Sequence, residues 1–488
     1  MQASDPTLNS AQATSGSNSE PIAPKSNVVL GALLITLMTF QGLSGWFGLE
    51  WVQLPSVGIL LAVVIYTLIN GNKTARVFIL IAAFCGILAV FLLDSPTPTI
   101  WDGAKRALFF QAFLTALFSL QEAALRSKML HNIGHFLINQ PVRRRSFLLV
   151  IGTNVMALMM NIGALVMIGS IAKASEATEQ IKVKSDSLER KQLPLAALRG
   201  FPPSSVWSPL ALPPVFLATF YPDVQLSTVM LYGAGISLVL LLLSFLVISI
   251  EVWMATSKQE VSEPIHVART GFPTESVAML AGTLVLIFGS IVFFSNLLGI
   301  SVAIAVILII PTTSIIWLLL MCRFNMKMFV QDPVRNMVCF RLPQQVSETS
   351  VIVSAAFMGP ILLEILPVEM LADYIVANSL APALFAAIVF FSMIGLAMIG
   401  VNSVLSTTIA LAVAGNPLAF GLEPIALILV ILTAWALASQ LTPFSTTAIV
   451  VSKMFDVAPA KLVFQWNGLL WVLTMLVSAG VFIVWGVW

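Results

Sequence analysis

The sequence predicts an all-α polytopic membrane protein, with about 11 transmembrane helices plus two re-entrant hairpins in an inverted repeat. Three observations point there. Of 488 residues, 58% are hydrophobic and only 9% are charged, more apolar surface than a soluble domain of this length could cover. Apolar stretches recur along the whole chain, separated by short polar connections. One pattern occurs twice: Pro141 precedes Asn161 by 20 residues, and Pro382 precedes Asn402 by 20 residues.

Residues 1–27 are expected to be a disordered cytoplasmic tail, rich in Ser, Asn, Gln, Thr and Pro, with one cation, Lys25. The basic start and cleavage site of a signal peptide are missing, so the span from Val28 should be retained. Residues 28–53 hold a first helix outside the repeat. Repeat 1 covers 54–253, with a re-entrant hairpin at 146–172 and a broken helix at 201–221. A cytoplasmic connector follows at 254–271, then repeat 2 at 272–488, with its hairpin at 383–413 and broken helix at 424–452.

Cations sort the connections, because Lys and Arg stay on the cytoplasmic side. If 146–172 and 383–413 each crossed once, the loop 173–200 with its six cations would face outward. If both stretches enter and leave on one side, 22 of the 24 Lys and Arg lie inside and only Lys105 and Arg106 lie outside. The second arrangement satisfies the positive-inside rule, places the N-terminus in the cytoplasm and gives the two halves opposite orientation. The expected location is the plasma (inner) membrane.

The hairpin tips and breaks are the candidate half-sites. Re-entrant backbone leaves polar groups unpaired unless protein or a water-filled cavity satisfies them. Asn161 and Asn402 fall where each hairpin must turn, and Asn both donates and accepts and tolerates positive φ. Gly152, Gly163, Gly395 and Gly400 permit close approach nearby, and Ser403, Ser406, Thr407 and Thr408 continue the second hairpin. Each hairpin is followed by a small hydroxyl residue before proline, Ser208-Pro209 and Thr442-Pro443. Proline removes a donor and interrupts the helix, freeing carbonyls for a cation and a half-helix N-terminus for an anion. The expected roles are substrate or cation binding by Asn161 and Asn402 beside Gly163, Ser403 and Ser406. Ser205, Ser208, Thr442, Ser445 and Thr446 would supply hydroxyls and exposed backbone at the breaks.

Other features carry less. Glu122 and Glu364 precede Pro141 and Pro382 by 19 and 18 residues, and are either coupling carboxylates or side chains reaching the interface from helix ends. His131 and His135 lie one turn apart, but Asn132 stands where metalloprotease helices carry Glu, so residues 126–139 read as an interfacial amphipathic helix with Met129, Ile133, Phe136 and Leu137 toward lipid. Cys85, Cys322 and Cys339 form no ligand cluster or disulfide framework. The net charge of +2 argues against a nucleic-acid partner, and no P-loop offers an ATP engine.

With its two opposed hairpins, each followed by a Pro-broken helix, the chain resembles the ion transporter superfamily of divalent anion/sodium symporters, citrate carriers and arsenite exporters, over most of residues 54–488. That resemblance implies a scaffold part and a mobile part made of hairpins and broken helices, an elevator motion and a homodimer. Dicarboxylate symporters of the group carry Ser-Asn-Thr at both tips, where it binds sodium and substrate. Here the tips read Met160-Asn161-Ile162 and Val401-Asn402-Ser403, so the Asn alone is shared. Neither hairpin nor broken helix has the intramembrane Asp of the group's sodium/proton antiporters.

The function expected is therefore secondary transport of a small anion or polar solute by symport with sodium or protons, with no catalytic residues, no bound metal and no cofactor beyond sodium as a coupling ion. Two other classes compete. A membrane enzyme handling a lipid-linked or glycan substrate would need an outward loop bearing acid, base or Arg, and the outward loops here are short and nearly uncharged. A channel-like subunit would show continuous pore helices instead of Pro-broken units.

Overall fold

A computed structural model describes residues 25–178, 188–221, 223–257, 271–365, 381–414 and 416–487. The tail 1–24, the middle of the loop 173–200, most of the connector 254–271 and residues 366–380 lie outside the described residues. Among the described residues every regular element is helical.

The first half runs α1 (Lys25–Phe47), α2 (Gln53–Asn70), α3 (Lys73–Leu92), α4 (Pro96–Leu125), α5 (Lys128–Ile138), α6 (Val142–Met160), α7 (Gly163–Thr178), α8 (Leu188–Ser204), α9 (Leu212–Ala218) and α10 (Leu226–Ser257). The second half runs α11 (Thr274–Leu298), α12 (Val302–Met321), α13 (Met326–Ile365), α14 (Pro382–Met398), α15 (Ser403–Ala414), α16 (Pro424–Leu441), α17 (Thr446–Phe455) and α18 (Gly468–Val487). Among the described residues, ten helices are long and apolar enough to cross a membrane, and the chain is a multi-pass membrane protein. The eleventh expected span, 201–221, is not one helix: α8 and α9 share it, and neither is long and apolar enough by itself.

Two groups of packed helices organise the chain. In the first, α4 lies against α1, α12 and α13, and α3 lies along α13. Helix α4 is mostly buried, with Phe110, Phe113 and Leu120 fully enclosed. In the second, α6 packs along α8, α7 against α17, α14 against α16, and α8 against both α16 and α17. By contrast α2, α3 and α11 turn Leu54, Phe84, Phe91, Val285 and Phe293 outward, as lipid-facing helices do. Helix α13 opens with the α-helical turn Met326–Phe329, continues through two π-helical turns, Val330–Val334 and Met337–Arg341, and carries Pro333 and Pro360 inside it.

Helix α5 does not take the role expected of it. Its apolar side chains Met129, Ile133 and Leu137 are buried, and α6, α7 and α11 pack on it. An amphipathic helix covers whatever apolar surface is nearest, and here that is protein instead of lipid. His131 and His135 remain on its exposed side, with His131 Nδ1 3.1 Å from the Ser127 carbonyl.

The α6–α8 contact depends on one missing side chain. A Cβ on Gly200 would stand 2.5 Å from the Val150 carbonyl oxygen and 2.9 Å from Thr153 Cβ. The buried Asn154 donates from Nδ2 to the Gly200 carbonyl at 3.0 Å across the same seam. Gly200→Val should therefore force these backbones apart and destabilise the protein by about 1–3 kcal/mol, read as a lowered thermal midpoint in detergent.

Candidate functional site

The chain breaks four helices where the sequence places its candidate residues. Helix α6 ends at Asn161, whose φ of 49° and ψ of −131° reverse the chain into α7. The φ is positive, as a turn at Asn permits, but ψ lies outside the left-handed helical region, so this backbone is strained for any side chain. Asn161 N–H still closes α6 on the Ala157 carbonyl at 2.9 Å, and its carbonyl accepts from Ala164 N–H at 3.0 Å. Gly163 lets this tip rest on α4, since a Cβ there would stand 2.5 Å from Gln121 Nε2.

The second tip is built differently. Helix α14 ends in a Schellman motif, with Gly400 at φ 90°. Val401 N–H bonds the Leu396 carbonyl at 2.9 Å, and Gly400 N–H bonds the Ala397 carbonyl at 3.1 Å. Asn402 then caps α15: its Oδ1 accepts from Val404 N–H at 2.8 Å. Its side-chain oxygen is thus engaged, and the residue itself is exposed. Equal Pro–Asn spacing therefore hides unlike geometry, since Asn161 closes the helix before it and Asn402 opens the helix after it. Ser406, Thr407 and Thr408 are buried along α15, with Ser406 Oγ donating to the Ser403 carbonyl at 3.1 Å.

The breaks are lined by hydroxyls that first serve their own backbone. Between α8 and α9, Ser205 Oγ donates to the Pro202 carbonyl at 2.7 Å, and Ser208 Oγ accepts from Leu210 N–H at 3.2 Å. Ser208 and Pro209 are buried and Ser205 is half-buried. Between α16 and α17, Thr442 is extended ahead of Pro443 (φ −117°, ψ 140°) and its Oγ1 donates to the Ala438 carbonyl at 2.9 Å. Ser445 caps α17, accepting from Ala448 N–H at 3.1 Å while lying 2.8 Å from the Ser439 carbonyl. Thr446 is exposed at the α17 N-terminus, and Phe444 lies against the second tip, 3.7 Å from where a Gly400 Cβ would be.

Several candidates come together and others do not. The two broken helices pack on one another: α8 and α9 lie against α16, and Phe216 meets Trp435 edge-on at 6.3 Å between ring centroids. The first hairpin joins them through α6–α8 and α7–α17, and the second through α14–α16 and α15–α16. The tips themselves have different neighbours, Gln121 of α4 for the first and Phe444 for the second. Glu122 and Glu364 belong to neither half-site. Glu122 is 2% exposed at the end of α4, where its Oε1 accepts from Arg126 Nε at 2.6 Å and Asn336 Nδ2 at 2.8 Å, with Arg341 Nε 3.2 Å from Oε2. Burial works against the Arg126 charge, but the bonds to Asp332 and Glu122 outweigh it and raise the guanidinium pKa. Glu364 is exposed and accepts a hydrogen bond from Thr99.

One functional group went unread in the sequence. Arg199, counted there as a cation of the 173–200 loop, sits in α8 and is 1% exposed, so the broken helix begins at Leu188 and not at Phe201. Its guanidinium donates to both oxygens of Glu251 on α10, at 2.9 and 2.7 Å, and from Nε to Asn467 Oδ1 at 2.8 Å. Asn467, fully buried before α18, lies with Nδ2 3.4 Å from the carbonyl of Gln440, two residues ahead of the second break. This chain of polar contacts ties the first broken helix to the second through a buried formal charge. Two signals were available: the apolar run Leu193–Leu198 just before Arg199, and a carboxylate, Glu251, inside an apolar span.

Among the described residues no group of three or more His, Cys, Asp or Glu side chains could hold a metal ion. Comparison with protein-family models and with curated proteins finds no match for the chain.

The Arg199–Glu251 pair predicts a non-additive result. Arg199→Leu or Glu251→Leu alone strands a buried charge and should cost about 3–5 kcal/mol, whereas the double Leu variant should recover most of that loss. Thermal unfolding of the purified variants in detergent measures the cycle, and additive losses would show that the pair is not coupled.

Proposed function

We propose that this chain is a secondary active transporter of a small anion or polar solute, working by an elevator-type motion within a homodimer and driven by sodium or protons. The observation that carries the reading is the packing of two helix–turn–helix units onto two Pro-interrupted helices that lie against one another inside an apolar chain. Broken helices at membrane depth survive where they border protein or a solute path, because their freed carbonyls and N–H groups need partners. At each break, Ser and Thr already satisfy part of that need and leave hydroxyl lone pairs and half-helix ends for a solute or cation.

In this reading, α6–α7 and α14–α15 are re-entrant hairpins entering from opposite faces of a plasma (inner) membrane, and the two halves form an inverted repeat. The group α1, α3, α4, α12 and α13 is the scaffold, and the hairpins with α8, α9, α16 and α17 are the moving body. Arg199, Glu251 and Asn467 keep that body rigid by joining its two broken helices. Asn161, Gly163, Ser205, Ser208, Pro209, Asn402, Ser403, Ser406, Thr442, Pro443, Ser445 and Thr446 supply the binding surface.

Two measurements test the reading. With single cysteines in a cysteine-free background, Arg144→Cys and Lys173→Cys should both label from the cytoplasmic face, and Ala381→Cys and Asn416→Cys both from the opposite face. Ends of one hairpin labelled from opposite faces would refute the re-entrant arrangement. For transport, a panel of radiolabelled solutes in proteoliposomes under sodium and proton gradients should reveal gradient-driven uptake. Asn402→Ser keeps a helix cap but loses the amide, so it should fold with a thermal midpoint close to wild type and lose at least about tenfold in uptake. Full uptake by that variant removes Asn402 from the site.

A further inference from the structure

Helix α13 carries an acidic side chain to which neither half-site nor ionic junction lays claim. Of the carboxylates within the described spans, Asp102, Glu122, Glu251 and Asp332 hold ion pairs, Glu364 accepts from Thr99, and Glu50 and Glu275 lie at span ends. Glu348 remains. It is exposed, and among the described residues it makes no ion pair or hydrogen bond. An ionisable side chain inside a span is costly in lipid and marks a water-filled path.

The direction of Glu348 follows from its neighbours along the helix. Gly359 lies eleven residues further on, close to three full turns and so on the same face. A Cβ on Gly359 would stand 2.7 Å from Phe220 Cζ, so this face meets the segment after α9, in the first broken-helix region. Gln345 lies one turn before Glu348, with Nε2 3.5 Å from Gln121 Oε1, and Gln121 covers the first hairpin tip at Gly163. Glu348 thus stands on the seam between scaffold and moving body. The Phe220 contact is about 16 Å along the helix on one side, and the Gln345–Gln121 contact one turn away on the other.

The seam is open at Glu348 and closed beyond it. Val351 and Ala355, next on this face, are buried, whereas Gln344 and Glu348 are exposed. Arg341, Gln344, Gln345 and Glu348 form one polar stripe at i, i+3, i+4 and i+7, which ends where burial begins. By contrast, α2, α3 and α11 turn apolar side chains outward. A polar stripe on the seam lines a wet approach, because in lipid each of its groups would lose its water partners.

Few charges surround the carboxylate. Of the helices packed on α13, α2 and α15 bring no acidic or basic side chain. Helix α1 brings Lys25 and α3 brings Lys73 and Arg76, all in first turns. On α4, Arg106 pairs with Asp102 and lies over the Phe220 ring, Lys105 is exposed, and Glu122 is held by Arg126 and Arg341. The segment after α9 adds Tyr221, and the nearest charge on α13 itself is Arg341, seven residues back. None of these cations pairs with Glu348. A hard metal cation takes several converging oxygens, and among the described residues no group of carboxylates forms here. A proton needs one carboxylate.

We propose that Glu348 binds the coupling proton, an assignment that rests on the transport reading above and selects protons over sodium. Ionised, Glu348 needs water, so the moving body cannot close over it. A proton taken from water on one side makes the carboxyl neutral and lets the hairpins and broken helices slide past with solute. Loss of that proton to water on the opposite side restores the charge. One proton crosses per cycle, and no other bond is made or broken.

The test follows protons directly, in sodium-free proteoliposomes of the full-length protein with pyranine trapped inside and an inward proton gradient. Each solute of the panel is added outside in turn, and the one that the wild type carries should speed acidification of the interior. Glu348→Gln should keep a thermal midpoint close to wild type, because the side chain is exposed and unpaired, while its solute-dependent proton entry should fall at least about tenfold. The same variant, permanently neutral at this position, should still exchange radiolabelled for unlabelled solute at equal pH. Glu348→Asp, which still titrates, should keep most of the proton entry. Undiminished proton entry in Glu348→Gln, loss of exchange together with proton entry in that variant, or wild-type uptake that follows sodium and ignores pH would each overturn the assignment and leave the transport reading standing. Neither uptake nor exchange of any solute by the wild type would overturn both.

Discussion

Backbone polar groups have no water to turn to inside an apolar chain in a bilayer, and this constraint governs the rest of the structure. Helices satisfy it along their length, so the described chain is helical wherever it is regular. Every interruption must then be repaired locally, and each of the four is. Leu396 and Ala397 carbonyls are reclaimed by the Gly400 turn, and Asn402 caps the helix that follows. Ser205 and Ser208 serve the first break, Thr442 and Ser445 the second. Asn161 makes its turn by accepting a backbone geometry that glycine would adopt at lower cost. Side chains recruited for repair are also the side chains on offer to a solute, which is why structural and functional readings fall on the same residues.

The same low dielectric shapes the charges. A guanidinium as enclosed as Arg199 is tolerable only with its donors taken, and Glu251 and Asn467 take them from two other elements. The contact thereby joins α8, α10 and the start of α18 into one body, with α16 attached through Gln440. In the first helix group Glu122 is held by Arg126, Arg341 and Asn336, joining α4 to the first part of α13. These two buried ionic junctions share no residue.

Much of the architecture was legible along the chain. Apolar stretches with few cations mark spans because transfer of charge into lipid is costly, and ten helices follow them. The prolines marked the breaks because a missing N–H and a steric clash act locally, whatever the surroundings. Three things were not legible. The start of α8 at Leu188 lies in a charged segment, where Arg190, Lys191 and Arg199 look like loop residues until Glu251 is placed opposite Arg199. The direction in which α5 turns its apolar face depends on whether lipid or α6, α7 and α11 arrive there first. The unlike tips of the two hairpins follow from where each helix ends, and Pro–Asn spacing does not record that.

By itself the amino-acid sequence determined the class: an all-helical membrane protein, with its turns at Asn and Gly and its breaks at Ser-Pro and Thr-Pro. These are consequences of composition, of period and of backbone sterics, all of which act within a few residues. Only the tertiary structure decided that Arg199 is a buried strut and not a loop cation, that Asn402 is a cap while Asn161 is a strained turn, and that α5 covers protein. Those outcomes rest on contacts between residues far apart in the chain, such as Arg199 with Asn467 and Glu122 with Arg341, where burial sets the cost of a charge and the partner meets it.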